Sequence, residues 1–246
     1  MKVEGKAAVV SGAGSGIGRA AVLALVGRGA KVVVADIDEN AARETVRLAA
    51  EKGGSAIFAR CNVTRTEDLV TAFARAVKEF GQLDIAFNNA GIGGEDLFAD
   101  DADDWKRVID IDLSAVIDAT RIAVREMKRA GHGGVIVNTA SLIGLGPMGA
   151  APVYATAKAG VVNFSRSLAY LAKESNIRVN TICPELVDTK MALGFGEARL
   201  AELRRTGGIL QPEAIAAGVL ELIEDESRAG AVMKITVRGG REYAFT

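Results

Sequence analysis

The apolar run Ala7 to Ser11 leads directly into Gly12-Ala13-Gly14-Ser15-Gly16-Ile17-Gly18, and a segment of helical periodicity follows to about Arg28. A strand that turns through glycines into a helix leaves the chain few options. The glycines allow a tight turn, and the helix aims its first unpaired N–H groups at whatever sits above the strand end. A strand followed by a helix in this way needs parallel neighbours, so a βαβ architecture is predicted. The rest of the chain keeps the alternation. Lys31 to Asp36, Ser55 to Arg60, Leu83 to Asn88, Val135 to Ser141, Arg178 to Cys183 and Ala231 to Val237 read as further strands. Helices fill the intervals, notably Asp103 to Arg129 and Val153 to Lys173, and Asp38 is placed to cap the helix after the second strand. With no linker, repeat or low-complexity tract, residues 1–246 read as a single α/β domain. Asp188 to Gln211 breaks the pattern: it is irregular, holds Gly194, Gly196, Gly207 and Gly208, and follows a strand's carboxyl end. Ligands bind at that end of open α/β sheets, so the segment is expected to be a lid.

Several function classes are excluded early. A net charge of −1 provides no field for nucleic acid or an anionic membrane surface, and there is no basic stripe or aromatic platform. No window approaches the ~20 apolar residues of a membrane span, and the amino terminus carries no secretory pattern, so a cytoplasmic protein is expected. Cys61 and Cys183 form no metal-like pair and read as small buried residues in a reducing compartment. His132 lies in a glycine-rich turn without partners for a metal, and no metal is expected. The acidic run at positions 100–104 reads as a helix start rather than a cation site.

The glycine spacing is Gly-x-x-x-Gly-x-Gly, with Gly12, Gly16 and Gly18 at the key places. Backbone N–H groups from Ser15 to Ile17 can approach a pyrophosphate there. Asp36 ends the second strand, 18 residues after Gly18. A carboxylate at that place accepts both ribose hydroxyls and repels a 2′-phosphate, and no basic residue follows at once, so NAD is expected over NADP. The competing reading is that Asp36 only caps a strand–helix turn. Further along, Tyr154 and Lys158 stand four apart, on one face of a helix. Lysine stabilises a phenolate, and an oxidised nicotinamide adds a second positive charge. Bringing tyrosine from ~10 to near 7 takes about 4 kcal/mol, which two cations in a water-poor site can supply. Alone, the pair would be a solvated helix pair. It gains meaning from two strand ends, Asn138-Thr139-Ala140-Ser141 and Asn88-Asn89-Ala90-Gly91.

With these segments in this order, and Pro184 after the next strand, the chain resembles the short-chain dehydrogenase/reductase family from end to end. The resemblance implies one Rossmann-like domain, a doubly wound seven-stranded parallel sheet of order 3-2-1-4-5-6-7 with helices on both faces. It also implies roles. Ser141 hydrogen-bonds the substrate oxygen, Tyr154 exchanges the alcohol proton, and Lys158 lowers the tyrosine pKa and binds nicotinamide ribose. Asn89, Ala90 and Gly91 support the central strands and approach the cofactor, while Asn62 and Val63 lie at the adenine. Main-chain groups near Pro184 and Val187, with the Thr189 hydroxyl, lie near the carboxamide. The implied activity is hydride transfer between NAD and a small secondary alcohol or ketone. A mainly reductive enzyme and a catalytically weakened nucleotide sensor are the alternatives. A homodimer or homotetramer is implied as well.

Three positions depart from the family pattern. Asp112 stands where an asparagine usually holds water in a proton relay to the lysine, which predicts an active enzyme with a shifted pH optimum. Asn62 replaces an aspartate that faces the adenine amino group, and its amide oxygen is expected to accept the same bond. Glu185 replaces a glycine after Pro184. The segments Gly208 to Pro212, Leu222 to Glu226 and Gly230 to Thr236 resemble the 15-hydroxyprostaglandin dehydrogenase subgroup, which implies an apolar or lipid-like substrate. Leu142, Met148, Met191, Leu193 and Phe195 are candidates to line such a pocket, or to be core. That subgroup has a glutamine three residues before the tyrosine; here the residue is Ala151, so prostaglandin itself is not implied.

Overall fold

Strands β1 (Ala7–Ser11), β2 (Lys31–Asp36), β4 (Ile85–Asn88), β5 (Gly134–Thr139) and β6 (Ile177–Pro184) are buried over nearly their whole length. Strands enclosed on both faces must be covered by helices on both. The computed structural model, which describes residues 1–94, 97–98 and 105–245, has that arrangement. With β3 (Ser55–Arg60) and β7 (Val232–Thr236), these strands pair in parallel in the order β3-β2-β1-β4-β5-β6-β7. Alternate residues serve opposite cores, as the two-residue period of a strand requires. Ala8, Val10, Val32, Val34, Ile85 and Phe87 pack toward α1 (Gly16–Val26) and α9 (Pro212–Glu224). Val9, Val33, Ala86 and Ile136 pack toward α3 (Thr66–Phe80) and α5 (Ala115–Ala130). Between β2 and β3 runs α2 (Glu39–Glu51), whose first turn Asp38 caps by accepting from the Ala41 N–H at 3.0 Å.

An eighth strand, β8 (Gly240–Ala244), corrects the expectation of a seven-stranded, all-parallel sheet. It folds back antiparallel on β7, with Lys234 and Glu242 paired across the strands at 2.8 Å. Arg241 and Tyr243 fasten it to Glu221 of α9. Its signal was Gly239-Gly240, a hairpin dipeptide at the end of an apolar run.

The long helix expected from Asp103 is α4 (Trp105–Ile109), a π-helical turn (Asp110–Ser114) and α5 in succession. Its expected start and the acidic run at 100–104 lie outside the described residues. The helix expected over Val153 to Lys173 is α6 (Pro152–Ser167), a turn, and α7 (Leu171–Ser175). The stretch from Asp188 to Gln211 is not irregular. It contains a 3-10 turn (Lys190–Phe195) and α8 (Glu197–Thr206). The glycines there punctuate: Gly196 precedes α8, and Gly207 ends it in the left-handed region at φ 69°. Ala192, Leu200 and Ile209 make a small core of their own.

The carboxyl end of α9 is closed by Arg178, only 7% exposed. Its guanidinium donates to the carbonyls of Leu222 (2.8 Å), Ile223 (2.6 Å), Asp225 (2.9 Å) and Arg228 (3.3 Å). Removing it orphans several buried acceptors and a favourable charge at a helix carboxyl end. Arg178→Met is expected to lower stability by about 3 kcal/mol, read as a fall in the urea midpoint at unchanged m-value.

Candidate active site

Parallel strands end on the same side, so Ser11, Asn88, Thr139 and Pro184 deliver their following loops to one edge of the sheet. Along that edge the glycine turn is shaped by close approaches. Gly12 adopts φ 62°, and a Cβ there would lie 2.7 Å from Ala90 Cα; at Gly18 it would lie 2.1 Å from the Gly12 carbonyl oxygen. Only glycine fits either place. Ser15 is the N-cap of α1, but its side chain makes no capping bond, and the first turn holds no acid. The helix therefore presents unsatisfied N–H groups and its positive end beside Gly16 and Ile17, which suits a phosphate group. On its inner side the turn is fastened by Arg19, which donates to Gly14 O at 2.5 Å, and by Thr45, which donates to Ala13 O at 3.0 Å.

Asp36 takes part in the same turn. Its Oδ2 accepts from the Gly14 N–H at 2.7 Å and its Oδ1 from the Asp38 N–H at 2.9 Å. Each oxygen keeps a second lone pair, so the carboxylate can hold the turn and still accept from ribose hydroxyls. Asn62 has local partners of its own. Its Oδ1 accepts from the Thr64 N–H (3.1 Å) and the Thr64 hydroxyl (2.8 Å), closing a local turn that occupies both lone pairs. The oxygen expected to face an adenine amino group is engaged. Val63 packs its side chain against the core beneath.

Asn88 and Asn89 tie the strand ends together. Asn88 Nδ2 donates to Asn138 Oδ1 at 2.8 Å and to Thr120 Oγ1 at 3.1 Å. The Asn89 and Ala90 N–H groups donate to Ser11 Oγ at 3.0 and 3.2 Å. Gly91 sits over the next cluster: a Cβ there would lie 3.2 Å from Asp112 Oδ1 and 3.5 Å from Lys158 Nζ.

That cluster gathers Ser141, Tyr154, Lys158 and Asp112 from three elements. Ser141 ends the β5 segment and accepts from the Ile143 N–H at 3.3 Å. Tyr154 and Lys158 share a face of α6, with the ammonium 5.5 Å from the ring centroid. Lys158, 3% exposed, donates to Thr139 O at 3.2 Å and lies 3.4 Å from Asp112 Oδ2. Asp112 sits fully buried on the π-helical turn, where its Oδ1 accepts from the Ile92 N–H at 2.8 Å. Its Oδ2 has the ion pair but no aligned hydrogen bond. Burial raises the Asp112 pKa above the usual carboxylate range, against the pull of Lys158 and the Ile92 N–H.

Lys158 lowers the Tyr154 pKa, as expected, but in the chain alone the net direction is upward. Burial of its hydroxyl end raises the phenol pKa, and this outweighs the lowering by Lys158. The Asp112 carboxylate raises it further, while the Ser141 hydroxyl beside it pulls it down. Cys183, also nearby, is pushed up to about 12 by burial and stays a protonated thiol.

At the rim, Glu185 turns away: its carboxylate accepts from the Val237 N–H at 2.8 Å in the β7–β8 connection. Pro184 and Val187 are buried. Thr189 donates to Val187 O at 3.4 Å, and its methyl would lie 2.9 Å from a Cβ at Gly16. The segment from 188 to 211 is stitched at its base by the Val187–Leu210 bridge and a two-bond pair between Arg204 and Asp188, at 2.7 and 2.8 Å. Met148, Met191, Leu193 and Phe195 are exposed, whereas Leu142 packs against the core around Val161. His132 lies in an exposed turn, and among the described residues no cluster of three or more His, Cys, Asp or Glu could hold a metal. The readings from sequence omitted Ser11, Arg19, Thr45 and Thr120. Ser11, directly before the first glycine, and Arg19, directly after the last, stood next to a visible motif; Thr45 and Thr120 did not.

The family model for short chain dehydrogenase matches residues 6–199. The human 15-hydroxyprostaglandin dehydrogenase [NAD(+)] is 36% identical, over 99% of this chain and 95% of its own. Cyclohexanol dehydrogenase of Acinetobacter sp. (strain SE19) is 38% identical over 92% and 90%. Among solved structures, 7 alpha-hydroxysteroid dehydrogenase complexed with NADH and 7-oxo glycochenodeoxycholic acid superposes with a TM-score of 0.88 at 28% identity, covering 99% of this chain and 97% of that one.

Proposed function

The chain belongs to the short chain dehydrogenase family, and from that premise we propose that it oxidises a small, largely apolar secondary alcohol with NAD. The observation that carries the reading is the meeting of Tyr154, Lys158 and Ser141 at the strand edge that also holds the glycine turn and Asp36. Relatives named for NAD, for cyclohexanol and for hydroxyprostaglandin support the cofactor and the substrate class. When bound, the nicotinamide supplies the carbon that exchanges hydride with the substrate. The chain does the rest. Ser141 donates a hydrogen bond to the substrate oxygen, Tyr154 Oη accepts the hydroxyl proton, and Lys158 opposes the charge left on the phenolate. Gly12, Ser15, Gly16, Ile17 and Gly18 cradle the pyrophosphate, and Asp36 accepts from the adenosine ribose. Asn89, Ala90 and Gly91 form the wall beneath. Pro184, Val187 and Thr189 border the carboxamide, and 188–211 is the substrate lid. Asn62 and Val63 border the adenine through their main chain. A homodimer or homotetramer and a cytoplasmic location complete the proposal; among the described residues, no helix is long and apolar enough to cross a membrane.

The same residues would serve the reductive direction, in which the Tyr154 phenol donates to a developing alkoxide; burial and Asp112 shift its pKa upward, toward that protonated form. Titration with NAD and NADP, then a panel of secondary alcohols of rising chain and ring size followed by nicotinamide absorbance, tests the main reading. Binding of neither dinucleotide would overturn it. Binding without turnover in either direction would leave a nucleotide sensor.

Asp112 gives a signed prediction. Oxidation needs the phenolate, which exists above the Tyr154 pKa, and the Asp112 charge raises that pKa. Asp112→Asn keeps an acceptor for the Ile92 N–H and removes the charge. The rising limb of kcat against pH for oxidation is expected to move to lower pH by about one unit. An unmoved profile would show that Asp112 does not act on Tyr154.

A further inference from the structure

The cations of the lid segment are engaged, with one exception. Arg204 pairs with Asp188, Arg205 with Glu202, and Arg199 lies 5.8 Å over the Phe195 ring. Lys190 is exposed and has no acidic side chain within ion-pairing distance among the described residues. It starts the 3-10 turn next to Thr189, whose methyl rests on Gly16, and it lines one cleft with Ser15, Gly16 and Leu193. The other charged groups on that cleft are Arg19, Arg204, Asp188 and Glu213. Arg19 turns inward to Gly14 O, Ala41 O and Thr45. Arg204 and Asp188 neutralise each other. Glu213 belongs to the first turn of α9, on the opposite wall.

We propose that Lys190 is the cation this chain brings to the cofactor's pyrophosphate, and that the contact holds the lid against the cofactor. The inference rests on the cofactor site proposed above. A helix end offers only about half a positive charge, whereas a pyrophosphate diester carries two negative ones. Arg19, the cation near the start of α1, is tethered through Nε and Nη2 to Gly14 O, Ala41 O and the Thr45 hydroxyl, which leaves Lys190 as the cation that the lid segment itself presents to the cleft. Lys190 has no acidic partner among the described residues, and it lies on the segment that packs against Gly16 through Thr189. Because it opens the lid, its contact transmits cofactor binding to residues 190–206.

Calorimetric titration with ADP-ribose and with adenosine separates the outcomes. Lys190→Gln is expected to weaken ADP-ribose by about tenfold, with the difference shrinking as salt rises. Adenosine should bind both proteins alike, and Lys190→Arg should keep most of the affinity. ADP-ribose should also slow chymotryptic cleavage at the exposed Phe195 more in the wild type than in Lys190→Gln. Equal ADP-ribose affinity in both proteins would overturn the inference and leave the cofactor site standing. A parallel loss of adenosine would also overturn it. Failure of the wild type to bind ADP-ribose would overturn the cofactor site itself.

Discussion

Tyr154→Phe is expected to lower turnover by about three orders of magnitude while leaving the affinity for NAD unchanged. The substitution removes one hydroxyl and little else. The ring stays, and with it the contact between the Lys158 ammonium and the aromatic face. Lys158 keeps its bond to Thr139 O and its ion pair with Asp112. The glycine turn and Asp36 belong to other elements and do not feel the change. What disappears is the group proposed to take the proton from a substrate hydroxyl, or to return it. A loss confined to kcat, with NAD titration unaltered, is therefore the signature. Turnover retained within tenfold would take Tyr154 out of its role and would point to Asp112 or a solvent path.

The second large effect concerns cofactor choice. Asp36→Asn is expected to reduce the preference for NAD over NADP by about a hundredfold. The Asp36 carboxylate already fixes the turn through Gly14 and Asp38 N–H groups, and its remaining lone pairs are the ones proposed above to accept from the ribose. Two charge-assisted hydrogen bonds at about 1.5 kcal/mol each amount to two decades in affinity. Neutralisation weakens both and also lifts the repulsion against a 2′-phosphate. The amide keeps one acceptor oxygen for the turn, so the fold should hold. Dissociation constants for both dinucleotides, measured on both proteins, check this. An unchanged ratio would reduce Asp36 to the turn-capping role that its bonds to Gly14 and Asp38 already show.

The sequence carried the inner strands well, because buried valine and alanine runs have few alternatives. The strands over Ala7–Ser11 and Lys31–Asp36 match the sequence reading, and so does the less buried edge strand Ser55–Arg60. Regularity failed where the backbone departs from one period. The π-helical turn at Asp110–Ser114 leaves the apolar pattern intact on both sides and so has no signature in spacing. The segment after Asp188 read as irregular because its glycines drew attention away from Glu197–Thr206, whose composition favours a helix. β8 is short, polar and antiparallel, held by pairs to Glu221 that no local pattern announces.

The site divides in the same way. The spacing of Tyr154 and Lys158 revealed their shared face, and Asp36 was visible from its place at a strand end. The consequences of burial were not visible. Lys158 lowers the tyrosine pKa as its spacing suggested, yet in the chain without a nicotinamide the enclosed hydroxyl and the Asp112 charge raise it more. Asn62 looked like an acceptor for adenine because its own turn, closed with Thr64, cannot be read from residue type. Glu185 stood out as a replacement for the family's glycine after Pro184, and its carboxylate finds the Val237 N–H beyond β7.

The central claim is direct hydride transfer at the carbon that bears the hydroxyl. It is tested most directly with the best alcohol of the panel carrying deuterium at that carbon, incubated with NAD and the protein in ordinary water. The reduced nicotinamide, isolated and weighed by mass spectrometry, should contain one deuterium, and unlabelled alcohol in heavy water should give none. Reduced nicotinamide without the label, or deuterium drawn from the solvent, would contradict the account.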